Sequence, residues 1–403
     1  MNNRLRPIVA ILVLGIAMLA CSSSYTVVET QVPTPGGENT PTEVSLPTPE
    51  QAATPTQPPV TPDVSLPHPL YFLGYDGQSL TQIYRLERDG KTQTQLTFEP
   101  VNVTNYDVSK VDGSLAFESN NQLILVNADG SNRRVLAEGA RYPAFSPDGR
   151  TLAYSLSGLN FYDLSTGSSN LVLPDHPLGG SLPPELYMPD KYSPDGTKLL
   201  LKVGHPPDSP WTAAIYVPTT NTLMQFAGED QTLSCCVYYG GAQWAADSSS
   251  IYTVATTPDS STPFGVLWKV DAATGAVTTL ISGSAGEGDT RLMYLQYEPY
   301  LAPDGGLYFF SAKYPESAGY FRRVPLLLVR TRLEDITTNW TVLRGDTFEL
   351  MNEALWAPDA SFVVVVFSPT ENMFIGGRME IVYPDGRPNA LLTNYAQNMK
   401  WGP

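Results

Sequence analysis

The feature that most constrains this chain is a short motif that recurs along most of its length. Each copy has an aromatic or large apolar residue, a small residue, Pro-Asp-Gly or a variant of it, and then an apolar run, as at 142–155. The aspartates of successive copies lie 36 to 57 residues apart: Asp112, Asp148, Asp195, Asp247, Asp304 and Asp359. Repeats of about 40 to 50 residues that contain several short strands are typical of β-propeller blades.

Each copy of the motif predicts a strand, a tight turn and a second strand. Proline sets φ in such a turn, aspartate accepts hydrogen bonds from the backbone ahead of it, and glycine tolerates positive φ. We therefore interpret the repeated aspartates as turn formers and not as catalytic acids. A second hairpin follows in most units, with Asp-Gly or Thr-Gly between apolar runs, as at 123–131 and 268–276. Two hairpins supply the four strands of a propeller blade.

The two ends of the repeat region predict how the strands close. The chain ends in Trp401-Gly402-Pro403, which matches the segment before Asp-Gly in the other units, whereas 70–75 reads as a second strand that lacks a first. We therefore expect an all-β fold over 68–403: a single propeller of four-stranded blades whose C-terminal strand pairs with the N-terminal blade, which protects both edges. Seven blades are favoured, and six are the alternative because the unit at 101–139 is degenerate.

These motifs resemble the WD-like repeats of the TolB-type β-propeller over about residues 70–403. The resemblance implies the fold and says little about function. TolB proteins carry an N-terminal α/β domain and dock on a peptidoglycan-associated lipoprotein. This chain has a Thr/Pro-rich segment in that place, so the partner of TolB proteins cannot be carried over to it.

The first residues predict export. Arg4 and Arg6 precede an apolar run at 8–19, which is too short to span a bilayer but suits a signal peptide. The following Met18-Leu19-Ala20-Cys21 resembles the lipobox of bacterial lipoproteins. The resemblance implies a signal peptide over 1–20, lipidation at Cys21, and a membrane-anchored protein that faces the periplasm or the cell exterior. An uncleaved anchor and an ordinary secretory signal are the alternatives.

Composition restricts the partners of the rest of the chain. Residues 21–67 are rich in Thr and Pro, cannot bury enough apolar surface to fold, and are predicted to form a disordered tether. The net charge is −16, and no cluster of Lys or Arg could neutralise a phosphate backbone. We expect a monomer, with no nucleic acid, metal ion or cofactor.

Long connections predict a binding face. Because blade strands alternate in direction, the short motif turns lie on one face, and the longer connections lie on the other: 174–190, 204–213, 229–242, 256–265, 284–298, 313–325 and 369–378. Elaborated loops on a rigid scaffold usually carry function. The leading hypothesis is a non-catalytic module that binds a protein, peptide or glycan through aromatic residues: Tyr187, Trp211, Tyr238, Tyr239, Tyr294 and Tyr297. Cys235 and Cys236 form a vicinal disulfide or are reduced and buried; the sequence leaves both open.

The alternative hypothesis is an envelope hydrolase or lyase acting on a glycan or peptide. The chain has three histidines and no nucleophile or phosphate-loop motif. The leading hypothesis, a binding module, therefore assigns no catalytic residue. Glu298 and Glu353, expected to begin inner strands at the mouth of the propeller, would be the acid/base pair of such an enzyme. A purely structural stalk-and-head protein is a third possibility.

Overall fold

The computed structural model of the chain describes residues 64–176, 185–204, 212–226, 239–255, 265–285, 292–315 and 324–403. The chain divides into two units, 1–58 and 59–403, and the described residues belong to the second. Their regular secondary structure is β-strand apart from one short 3-10 helix at Leu333–Asp335, so the all-β prediction is confirmed. Within these ranges, no helix has the length and apolar character needed to cross a membrane.

The strands form antiparallel sheets whose order follows the chain. Three sheets of four strands come first: β4 to β7 (Val103–Val108, Leu115–Ser119, Gln122–Val126, Arg134–Glu138), β8 to β11 (Arg141–Phe145, Thr151–Ser155, Gly158–Asp163, Ser169–Pro174) and β12 to β15 (Leu186–Tyr192, Leu199–Gly204, Thr212–Val217, Thr222–Gln225). They are followed by a sheet of four strands and a sheet of five: β16 to β19 (Tyr239–Trp244, Ser250–Ala255, Val266–Asp271, Val277–Ile281) and β20 to β24 (Ser284–Ala285, Leu292–Leu301, Gly306–Pro315, Leu327–Arg332, Thr341–Val342).

The remaining sheet joins the two ends of the repeat region. It has the order β25-β26-β27-β28-β1-β2-β3, with strands at Met351–Trp356, Val363–Phe367, Gly377–Val382, Ala390–Trp401, Leu70–Tyr75, Thr81–Leu86 and Gln93–Gln95. The long strand β28 has two partners, because its 390–396 part pairs with β27 and its 397–401 part pairs with β1. Leu70 lies opposite Trp401 in this second pairing, which is the partner that the sequence predicted for the last strand.

The repeated turns show the predicted chemistry. In all six motif copies the aspartate Oδ1 accepts a hydrogen bond from the backbone N–H two residues ahead, at 2.8 to 3.1 Å. Gly149, Gly196 and Gly305 have positive φ, and Ser248 and Ala360 adopt the same conformation where the motif lacks glycine. The interpretation of these aspartates as turn formers is confirmed.

Apolar side chains hold each group of strands to the next one along the chain. In one such cluster Phe310 and Leu328 pack against Trp356 and Val363, so β20–β24 is joined to β25–β27. Comparable clusters follow the other boundaries between consecutive groups. A further cluster joins the last group to the first, because Val364 and Ile381 pack with Leu70 and Phe72.

The packed region begins before residue 68, which corrects the predicted boundary of the folded domain. Val64 and Leu66 are buried in the cluster that joins the last and first groups. The Leu66 N–H donates to the carbonyl of Arg88 at 2.8 Å, in the turn between β2 and β3. Gly90 in this turn has positive φ, and a Cβ there would lie 2.6 Å from the Val64 side chain, so a glycine is needed on both counts.

Candidate functional site: two connected cavities lined by lysines and amides

Two cavities are lined in large part by residues of the first strands of the sheets. The larger, which we call the lysine cavity, has a volume of about 680 Å³ and is lined by residues from β4, β8, β12, β16, β21, β25 and the second half of β28. The smaller, which we call the loop-side cavity, has a volume of about 620 Å³. Asp190, Lys202, Asn398 and Lys400 line both, so the two cavities meet at these four side chains.

The loop-side cavity lies where the second strand of the β4–β7 sheet ends. It is lined by Asn120 and Asn121, which form the hairpin between β5 and β6. This hairpin follows the second strand of its sheet, as do the long connections after β13, β17 and β26.

Bulges in the first strands turn polar side chains towards these cavities. Tyr142, Glu298 and Asn398 have positive φ, which is uncommon for residues other than glycine, and Gly241 has it as well. The pairing register shifts at Tyr142, Gly241 and Glu298. A bulge inserts one extra residue and re-aims the side chains beside it, which is why bulges are frequent next to binding sites.

Lysine is concentrated in the lysine cavity. The sequence contains eight lysines, and four of them line this cavity: Lys110, Lys191, Lys202 and Lys400. They lie on β12, β13, β28 and the turn after β4. In a chain with a net charge of −16, this places half of its lysines in one concave site.

Two aspartates partly neutralise these lysines. Lys400 Nζ lies 2.9 Å from Asp107 Oδ1 across the junction of β28 and β4. Asp190 lies between Lys202, at 3.3 Å, and Lys191, at 4.0 Å. Burial by itself would raise the pKa of Asp190, but the charges of Lys202 and Lys191 outweigh it and lower the pKa to about 2.

Glu353 has a structural role in this site. Its Oε2 accepts the backbone N–H of Asn398 at 2.7 Å, and its Oε1 accepts that of Met399. These two N–H groups lie in β28, just where the strand passes from β27 to β1. The carboxylate therefore holds the backbone that joins the last group of strands to the first, and its oxygens are occupied.

Glu298 is a carboxylate of the lysine cavity whose pKa is strongly raised. Burial raises its pKa to about 7, the charge of Lys191 opposes this rise, and the charge of Glu353 adds to it. Its backbone is held because the indole N–H of Trp356 donates to the Glu298 carbonyl at 2.9 Å. Both glutamates lie within their strands, β21 and β25, whereas the sequence placed them at strand beginnings.

The raised pKa of Glu298 predicts a pH-dependent stability. As the pH rises from 4.5, the ordinary value, to about 7, the unfolded chain releases this proton and the folded chain retains it, so stability is lost through this window and stays lower above it. We expect Glu298→Gln to stabilise the protein near pH 8 by about 1 to 2 kcal/mol, because water in the cavity reduces the full effect of such a shift. Near pH 5 the gain should be much smaller.

Thermal unfolding of both proteins at the two pH values measures this effect. Glu349→Gln, at an exposed position before β25, is the matched control and should change neither melting temperature. An equal gain for Glu298→Gln at both pH values would contradict a titration of this carboxyl.

The described aromatic candidates pack into the protein. Tyr187 is 5% exposed and lies in an apolar cluster with Leu199 and Leu201, so it is a core residue, which corrects its prediction as a ligand contact. Tyr297 is half-buried, and its hydroxyl donates to the Asn352 carbonyl at 2.8 Å, so it also ties two sheets together. Tyr239 and Tyr294 lie in β16 and β21, and their side chains lie outside the described residues.

Other predicted site residues fall outside the described ranges. They are Cys21, Trp211, Cys235, Cys236 and Tyr238. Lipidation, the vicinal disulfide and the loop aromatics therefore stay predictions. Within the described ranges, no three His, Cys, Asp or Glu side chains are grouped as a metal site would need.

Sequence reasoning missed the cations. Lys191 and Lys400 occupy the same place in their motif copies, directly before the aromatic residue, and Asp107 occupies the corresponding place in β4. Aligning the copies and reading this position for charge could have identified three members of the site. Lys202 and Arg141 lie at other positions, so the motif carries no signal for them.

The fold is shared with proteins of known structure. No protein-family model matches the sequence, and no curated protein matches it. Oligogalacturonate lyase from Vibrio parahaemolyticus matches 80% of this chain and 84% of its own at 13% identity, with a TM-score of 0.52. A structure from work on two prolyl endopeptidases matches 80% of this chain and 47% of its own, also at 13% identity and with a TM-score of 0.52. TolB from Acinetobacter baumannii matches 80% of this chain and 77% of its own at 13% identity, with a TM-score of 0.38. Identities this low show similarity of fold alone.

Proposed function

We propose that this chain is an exported, lipid-anchored envelope protein whose β-propeller binds a protein, peptide or glycan without converting it. The observation that carries the proposal is the pair of connected cavities, which are lined by polar side chains from several sheets. Concave sites of about 300 to 1,000 Å³ with convergent polar groups are the usual form of a binding pocket.

We infer that the propeller has seven blades in a closed ring. The seven-stranded sheet then consists of two blades that share β28, as its pairing with both β27 and β1 suggests. Apolar clusters between all consecutive groups, including the last and the first, support this arrangement. A closed ring would make the lysine cavity its central channel, since every first strand contributes to its lining.

One observation favours the enzyme alternative, and another opposes it. A carboxyl with a pKa of about 7, such as Glu298, is suited to general acid catalysis near neutral pH. Glycoside hydrolysis generally needs a second carboxylate, however, and the oxygens of Glu353 are occupied by backbone N–H groups. Binding without turnover is the function that the arrangement supports better.

Mass analysis of retained ligands tests this function. We expect the wild-type chain, produced in a bacterial host, to fractionate with membranes, and Cys21→Ser to be released as an exported soluble protein. The Cys21→Ser chain is then incubated with protein, peptide and glycan fractions of the envelope, and the retained molecules are compared by mass spectrometry with the input. The proposal expects one class to be retained with unchanged mass.

Two outcomes would overturn the proposal. Retained molecules of lower mass than the input, formed in a manner that Glu298→Gln abolishes, would establish the enzyme alternative. Failure to retain any of the three classes would refute the binding function. A wild-type chain that carries no fatty acid at Cys21 by mass analysis would refute the lipid anchor and leave the binding result unaffected.

A further inference from the structure

The loop-side cavity carries more cationic than anionic side chains. Arg141, Lys202 and Lys400 line it, together with the carboxylates of Glu118 and Asp190. The excess of one positive charge is small, so the hydrogen bonds of the two carboxylates decide what kind of ligand the cavity suits.

Both carboxylates of the loop-side cavity are used within the protein. Glu118 Oε1 accepts the backbone N–H of Tyr142 at 2.6 Å and the side-chain amide of Asn105 at 3.2 Å. Asp190 lies between Lys202 and Lys191, as described above. Acceptors that already have donors offer little to a cationic ligand, so the cavity is suited to a ligand that brings its own negative charge.

Lys202 is the cation best placed to meet that ligand. Its side chain is 49% exposed, although it lies on β13 and lines both cavities where they meet. An ammonium has three N–H donors, and among the described residues the Lys202 ammonium lies in an ion pair with Asp190 alone. Donors therefore remain for a carboxylate of the ligand.

Ser119 gives a second and independent indication of a ligand. It is 2% exposed and lines the loop-side cavity, and its hydroxyl has no hydrogen-bond partner among the described residues. A buried hydroxyl left without a partner is costly, and such groups are rare in native proteins. The amide of Gln122, three residues further on, lines the same cavity. A hydroxyl and an amide are the usual partners of ligand hydroxyl groups.

We propose that the loop-side cavity binds a sugar acid, with its carboxylate on Lys202 and Arg141 and its hydroxyls on Ser119 and Gln122. The cavity volume of about 620 Å³ suits one or two sugar rings. The inference rests on the proposed binding function and narrows it to the acidic saccharides.

Isothermal titration calorimetry of the full chain, with Cys21→Ser to keep it soluble, tests the proposal. The probes are glucuronate and galacturonate, with glucose and galactose as neutral counterparts and citrate as a carboxylate without a sugar ring. We expect the two sugar acids to bind and the neutral sugars and citrate to bind at least about tenfold more weakly. The neutral sugars lack the carboxylate that makes the charge-assisted contact, and citrate lacks the ring hydroxyls.

Three variants assign the binding to this cavity. Lys202→Met keeps the length of the side chain and removes its charge, and should weaken sugar-acid binding about tenfold or more. Lys198→Met, at the turn between β12 and β13 and outside both cavities, is the matched control and should bind as the parent does. Ser119→Ala should weaken binding several-fold without lowering the melting temperature, since its hydroxyl has no partner within the described residues.

The outcomes separate this proposal from the general binding function. Binding of sugar acids that Lys202→Met leaves unchanged, or citrate binding as tight as that of glucuronate, would overturn it. So would a lower melting temperature for Ser119→Ala with unchanged affinity, because the hydroxyl would then be structural. If the chain retains an envelope fraction but binds neither sugar acid at millimolar concentration, this inference fails and the general binding function stands.

Discussion

Replacing Trp401 with alanine should lower the free energy of unfolding by about 3 to 5 kcal/mol, the usual cost of removing a large aromatic side chain from a core. Trp401 is 9% exposed and packs with the cluster that joins the last group of strands to the first. Its indole N–H donates to the Trp356 carbonyl at 2.8 Å, and its ring lies edge-on to Phe362 at 6.3 Å. The truncation would therefore remove apolar contacts and leave a buried carbonyl without its donor.

Thermal and urea unfolding of the purified chain would measure this loss, and we expect the melting temperature to fall by at least about 5 °C. Leu391→Ala is the matched control, because Leu391 lies on the same strand, β28, and is 51% exposed. It should change stability by no more than about 0.5 kcal/mol. Equal losses of stability for the two variants would show that Trp401 contributes no more to the free energy of unfolding than an exposed residue of β28.

Replacing Glu353 with alanine should cost about 2 to 4 kcal/mol. Its carboxylate accepts the N–H groups of Asn398 and Met399, and Met399 is buried, so the substitution leaves two backbone donors without acceptors. Because these donors lie where β28 changes partner from β27 to β1, the loss should also loosen the junction of the chain ends. Faster hydrogen exchange of the β1 and β28 amides is the specific measurement.

Two further variants separate this role from a general loss of charge. Glu353→Gln keeps one carbonyl acceptor and should lose about half as much stability as Glu353→Ala. Glu349→Ala removes an exposed carboxylate four residues earlier and should leave both stability and exchange unchanged. Uniformly faster exchange across all strands in Glu353→Ala would contradict a local role at the junction.

The two predictions concern the same junction from its two sides. Trp401 supplies apolar packing, and Glu353 supplies hydrogen-bond acceptors, to a strand that belongs to both the first and the last group. If the ring is closed as we propose, the chain ends form its seam, and a substitution there acts on two blade interfaces together. Combined substitution should therefore be non-additive, as expected for residues that share a partner.

The turns and strands could be predicted from the sequence because their causes are local. The bond from the Asp148 carboxylate to the N–H of Arg150 spans two residues, and the same contact recurs in each motif copy. The partner of the last strand was also predictable, because Trp401-Gly402-Pro403 is an incomplete copy of a motif whose complement lies at 70–75. Local chemistry repeated many times makes such predictions robust.

The composition of the cavities depended on contacts that the sequence does not reveal. Lys400 and Asp107 are 293 residues apart in the chain and lie 2.9 Å from each other in the structure. Tyr187 was predicted at a binding face because it is an aromatic residue that the sequence placed in the long connection 174–190, yet it lies in β12 and its side chain packs into the core. Period-2 alternation sets the face of each side chain, and a shift of one residue reverses it.

By itself, then, the sequence determined the strand-turn-strand units and the partner of the final strand. The tertiary structure decided which polar side chains converge, because a bulge in each of several first strands re-aims residues from separate sheets towards common cavities. Turn formation needs a few neighbouring residues, whereas a site lined by several sheets depends on register and packing over the whole chain.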